Sequence, residues 1–199
     1  MKDLKTQLNK LKYNIDSEFL NEFYKSLGVK IDIDINKPEN YTKNKVYFNE
    51  DFKNKMNNSY TRITLHSYHT NVLLNEETKI NSSNFKQIFK NLLNERKDIK
   101  KENKTDYYKL KLILNKTIGT LLSNNMEIKM ENPNIFKHKF QQLSEELNNP
   151  VAPIIYADAD EFVIDNYDYF KSEINNILQK NKLNFEVENV TLKLLSKIK

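Results

Sequence analysis

The chain has no cysteine and no tryptophan, and its 199 residues include only two glycines, three histidines and four prolines. Without cysteine, disulfides and thiolate metal sites are excluded. His66, His69 and His138 offer no convergent ligand set for zinc. With glycine and proline so scarce, turns must be built on Asn, Asp and Ser. No run is apolar enough to span a membrane, and the segment from Met1 to Lys5 lacks the core of a signal peptide. The expectation is a soluble protein of the cytoplasm with no membrane partner.

What is present suits a packed domain. Hydrophobic residues make up 38% and aromatic residues 11%, enough for a real interior at this length. Charged residues reach 30%, well short of disordered composition. The formal net charge of +5 suits a polyanionic partner, because each lysine set against a phosphate releases condensed counterions.

The apolar spacing predicts a first helix through Leu4, Leu8 and Leu11, and a second through Phe19, Leu20, Phe23 and Tyr24 stopped by Gly28. Alternation of Ile31, Ile33 and Ile35 with Asp32 and Asp34 predicts a strand over 29–35. Ile63 to His66 reads as a strand turning into a short helix around Asn71 to Leu74. Ser83 is expected to cap a helix bearing Phe85, Ile88, Phe89, Leu92 and Leu93, with a charged bend at Lys97 to Lys104. Helices are expected over 106–123, after Pro133 and over 167–179. Strands are expected over Met126 to Met130 and through Phe185, Val187, Val190, Leu192 and Leu194. The class is α+β, with helices segregated from a small antiparallel sheet.

The stretch Ile154-Ile155-Tyr156-Ala157-Asp158-Ala159-Asp160-Glu161-Phe162-Val163-Ile164 reads as a hairpin with Asp158 and Asp160 at its tip. Two close carboxylates repel unless a cation lies between them, which suits Mg²⁺ and phosphoryl or nucleotidyl transfer. An acidic turn with no ligand is the plainer reading, since Asp favours turns.

Upstream, Lys111 and Asn115 lie one helical turn apart, and Gly119 a further turn on. A cation and an amide at that spacing suit a triphosphate or a base edge; a solvated helix face is the plainer reading. Glycine inside a helix costs about 1 kcal/mol relative to Ala, so Gly119 suggests close approach of another group. Arg96 and Lys100 also share a face. Arg62 and Arg96 are the only arginines, and arginine grips phosphate in bidentate fashion where lysine does not.

In order, Arg-x-x-x-Lys, Lys-x-x-x-Asn-x-x-x-Gly and Tyr-x-Asp-x-Asp resemble the fingers and palm motifs of family B DNA polymerases. The family's middle motif is K-x-x-x-N-S-x-Y-G, matched by Lys111, Asn115 and Gly119, with Lys116 and Ile118 as departures. Its last is Y-G-D-T-D-S, matched by Tyr156, Asp158 and Asp160, with Ala157, Ala159 and Glu161 as departures. The earlier palm motif, D-x-x-S-L-Y-P-S, is met by Thr64 to Asn71, where Ser67 fits and Thr64 replaces the metal-binding Asp. Either that site is degenerate or Asp34 takes its place.

The resemblance spans roughly Arg62 to Ile164. It implies a palm-like antiparallel sheet packed with helices, plus a short helical fingers hairpin. Residues 1–60 would form a helix-and-strand segment packing on the palm, 61–80 and 124–199 the palm, and 81–123 the fingers. Asp158 and Asp160 would be the catalytic, metal-holding carboxylates for Mg²⁺ or Mn²⁺. Arg96, Lys100, Lys111, Asn115 and Tyr156 would bind the nucleotide. The implied activity is DNA-directed, two-metal nucleotidyl transfer from deoxynucleoside triphosphates onto a DNA primer-template. A chain of this size implies a reduced or split, protein-primed phage-like polymerase with a second subunit, or an inactive DNA-binding or assembly derivative.

Overall fold

A computed structural model describes residues 2–11, 15–35, 38–42, 47–48, 59–158 and 160–191. The chain divides into two compact units: residues 1–42 with 72–135, and residues 43–71 with 136–199.

The first unit is helical. Helices α1 (Lys2–Lys10) and α2 (Ser17–Ser26) precede the long helices α4 (Phe85–Glu102) and α5 (Lys104–Leu122). Asp16 starts α2 by accepting the Phe19 amide at 2.9 Å, and Gly28 ends it at φ +85°, a left-handed conformation that glycine adopts without strain. The buried core includes Leu20, Phe23, Tyr24, Phe85, Phe89, Leu92, Leu110, Ile113 and Leu121. Thr117 donates its hydroxyl to Ile113 O at 2.8 Å, so the fully buried Tyr24 hydroxyl is the donor to Thr117 Oγ1 at 2.9 Å.

Four expectations change here. Residues 29–35 form no strand; the amides of Asp32 and Ile33 bond instead to Asn81 O. Residues 126–130 form no strand either, only an isolated bridge between Ile80 and Met130. The Asn81 side chain takes the bonds a strand partner would, donating to Glu127 O and accepting from the Lys129 amide. Ser83 does not cap α4, whose N-cap residue is Asn84; its hydroxyl donates to Asp32. The charged bend over 97–104 narrows to Asn103 alone. This single residue caps α5 by accepting from the Thr105 and Asp106 amides at 3.0 and 3.2 Å, which lets α4 run on to Glu102.

The second unit is an antiparallel sheet with helices. Its strands are β1 (Tyr47–Phe48), β2 (Ser59–His66), β3 (Ile154–Asp158), β4 (Glu161–Ile164) and β5 (Asn184–Thr191), in spatial order β1-β3-β4-β2-β5. Helix α3 (Tyr68–Leu74) follows β2, α6 (Ile135–Leu147) leads into β3, and α7 (Tyr167–Lys180) joins β4 to β5. Leaving β1 aside, β2-α6-β3-β4-α7-β5 is a split βαβ arrangement with the β3–β4 hairpin next to β2. Phe140 of α6 stacks on Phe162 of β4 at 4.8 Å, which marks the covered face, and Ile63 opposite Phe162 shares it. The hairpin, the strand at Ile63 to His66, the helix after Pro133 and the α7 segment all lie where the apolar pattern predicts them. Of the C-terminal strand, Leu192 and Leu194 fall outside the described residues.

Candidate functional site: an acidic hairpin and a basic helical hairpin

The acidic hairpin is shaped by one extra residue. Ile154 pairs with Ile164, but Tyr156 pairs with Val163, so Ile155 has no partner and forms a bulge. Ile154 shares the covered face, because Ile164 also stands opposite Thr61, whose face is that of Ile63. Strict alternation would keep Tyr156 and Asp158 on that side. The bulge turns both to the opposite face, where Asp158 pairs with Glu161 and Glu161 pairs with Thr64. Ile155 itself is buried against Tyr60 and Val163, with Tyr156 and Val190 packed on them.

This second face is charged toward the hairpin tip. The Arg62 guanidinium lies 3.7 Å from Glu161 and in contact with Glu188, while His66 Nε2 is 3.3 Å from Glu186. The Tyr156 hydroxyl donates to Asp158 Oδ2 at 3.4 Å. Its pKa is raised by burial first, then by the charges of Asp158 and Glu161. Asp160 closes the turn: its amide donates to Asp158 O at 2.6 Å, and its carbonyl accepts the Leu65 amide at 2.7 Å. The end of β2 is thereby bonded to the hairpin tip. Ser67 follows at φ +57° and turns the chain into α3, its carbonyl accepting the Asn71 amide. His69 stacks on Phe136 at 5.6 Å, and burial lowers its pKa against the opposing charge of Asp160.

Asp158 and Asp160 supply hard oxygen donors. Among the described residues no group of three Asp, Glu, His or Cys side chains converges to hold a metal ion. Glu161 is turned toward Arg62, and Thr64 occupies the facing position on β2. With Thr64 where a third carboxylate would stand, the hairpin does not fit two cations bridged by three protein carboxylates. Asp34 does not end a strand. It is exposed in the helical unit, lining a cleft of about 430 Å³ with Lys79, Ser83, Lys86 and Glu131.

The remaining predicted residues lie in the helical unit. Arg96 and Lys100 of α4 gather over one ring, with Arg96 Cζ 5.9 Å and Lys100 Nζ 5.8 Å from the Tyr107 centroid. Tyr107, which sequence reasoning passed over, stands four residues into α5, where a one-residue turn brings it opposite α4. Asn115 and Gly119 line a cleft of about 460 Å³ with Leu112, Lys116, Thr120 and Asn125, and Lys111 is exposed on the same helix. Among the described residues a Cβ on Gly119 would meet nothing within 4 Å, so none of them requires glycine there.

No helix among the described residues is long and apolar enough to cross a membrane. Neither the protein-family models nor the curated proteins contain a match to this chain.

Proposed function

We propose that this chain is a DNA polymerase-like protein of the family B palm-and-fingers kind. In this reading it adds nucleotides to a DNA primer as one part of a split polymerase. The observation that carries the reading is the bond from the Leu65 amide to Asp160 O. It joins the two segments that the motif resemblance treats as palm motifs, although 95 residues separate Leu65 and Asp160 in the sequence. Chance similarity in short motifs gives no reason for the matched segments to be neighbours in a sheet.

Asp158 and Asp160 would hold the cation, and Tyr156 would orient Asp158 through its hydroxyl. A bound Mg²⁺ or Mn²⁺ would neutralise the phosphate oxygens and lower the pKa of the primer hydroxyl. Arg96, Lys100 and Lys111 would grip the triphosphate, and Asn115 would meet the base pair.

Primer extension with Mg²⁺ or Mn²⁺ tests the reading. Incorporation by the wild type should fall by at least about 10³-fold in Asp158→Ala if that carboxylate stabilises the transition state. Thr64 favours a second reading, since a hydroxyl in place of a carboxylate cannot supply the anionic oxygen of a two-metal site. On that view the chain is an inactive, polymerase-derived DNA-binding or assembly subunit. DNA binding without incorporation would select it.

A further inference from the structure

The bend between α4 and α5 carries more than a phosphate grip. Over residues 96–104 five cations (Arg96, Lys97, Lys100, Lys101 and Lys104) face only two acids, Asp98 and Glu102. Lys97, Lys100, Lys101 and Lys104 are all exposed. Tyr107 is half-buried beneath Arg96 and Lys100, and Tyr108 meets it edge-on, with centroids 5.3 Å apart at 71°. Tyr108 itself is 63% exposed. An open aromatic ring beside clustered cations is the chemistry that holds unpaired bases: the ring stacks a base face while the cations track the phosphates.

We infer that the α4–α5 bend binds single-stranded nucleic acid, with a base stacked on Tyr108 and the flanking phosphates on Lys100, Lys101 and Lys104. Tyr107 acts as a positioning residue, holding Arg96 and Lys100 on the strand's side. Duplex DNA hides its base faces and cannot use the ring, so the surface discriminates in favour of single strands. Tyr169 is more exposed still, at 83%, but residues 165–171 around it carry two acids, Asp165 and Asp168, against one cation, Lys171. It supplies an internal control. The inference does not depend on the acidic hairpin, and it holds whether or not the chain extends primers.

The test is fluorescence anisotropy of a labelled 15-nucleotide oligo(dT) with the full chain. Tyr108→Ala should weaken binding about tenfold, within the range for loss of one stacked base. Tyr108→Phe and Tyr169→Ala should bind as the wild type does. Lys101→Glu with Lys104→Glu should weaken binding and flatten its salt dependence. Oligonucleotide binding by Tyr108→Ala tests this surface and primer extension by Asp158→Ala tests the polymerase reading, which separates failure of the one from failure of the other. Two results would each overturn the inference: wild-type affinity in Tyr108→Ala, or equal affinity for the corresponding duplex.

Discussion

Asp32 accepts both the amide of Ser83, at 2.8 Å, and the Ser83 hydroxyl. These bonds, the hydroxyl first, hold its carboxyl below the ordinary carboxylate range. A depressed carboxylate pKa contributes stability that is fully present above its unfolded value, near about 4, and is lost as pH falls through the folded one. Ser83→Ala should therefore reduce the acid loss of stability, read as a shallower fall in Tm between about pH 5 and 2. A wild-type acid limb in that variant would show that the pair does not anchor residues 31–35. The same pair shows why Ser83 is misread from the sequence. A hydroxyl just before an apolar helix is a good cap by local rules. Here a distant carboxylate competes for it, and Asn84 takes the N-cap position.

At the scale of elements, the bulge at Ile155 decides what the acidic hairpin can do. Deleting Ile155 removes the extra residue and leaves Ile154 opposite Ile164, Tyr156 opposite Val163 and Asp158 opposite Glu161, so Asp158 keeps its face. Ile155→Ala keeps the bulge and should cost about 2–5 kcal/mol, as buried large-to-small changes do. The deletion loses the same buried side chain and the bulge with it, and should cost at least as much. Urea denaturation of the two variants checks this. A deletion variant more stable than Ile155→Ala would overturn this. The hairpin's existence was legible, since apolar runs flank a turn of acids. Its bulge was not, because an extra residue in a strand is defined only against the partner it fails to pair with.

For the whole molecule, each compact unit is discontinuous in sequence, the chain passing between them at 42/43, 71/72 and 135/136. The residues implied by the polymerase resemblance are shared out accordingly. Arg96, Lys100, Lys111 and Asn115 belong to the helical unit, and Tyr156, Asp158 and Asp160 to the sheet unit. The net charge of +5 is modest, and three of those charges lie over 96–104. On the split-polymerase proposal, the chain alone should bind primer-template DNA only in the unspecific range of about 10⁻⁴–10⁻⁶ M at physiological salt. Size-exclusion chromatography at 150 mM salt, roughly the physiological ionic strength, should separate chain from DNA. A stable complex of the chain alone would remove the need for a second subunit.

The sequence by itself determined the long helices, the acidic hairpin and the antiparallel class, because apolar periodicity and turn chemistry act over a few neighbouring residues. Only the tertiary structure decided that 29–35 and 126–130 are irregular, since one residue, Asn81, takes hydrogen bonds a partner strand would have made, through its carbonyl for 29–35 and its side chain for 126–130. It alone brought Tyr107 under Arg96 and Lys100, and it alone set which face Asp158 occupies. Those outcomes depend on pairings between residues far apart in the chain, whose register no local pattern specifies.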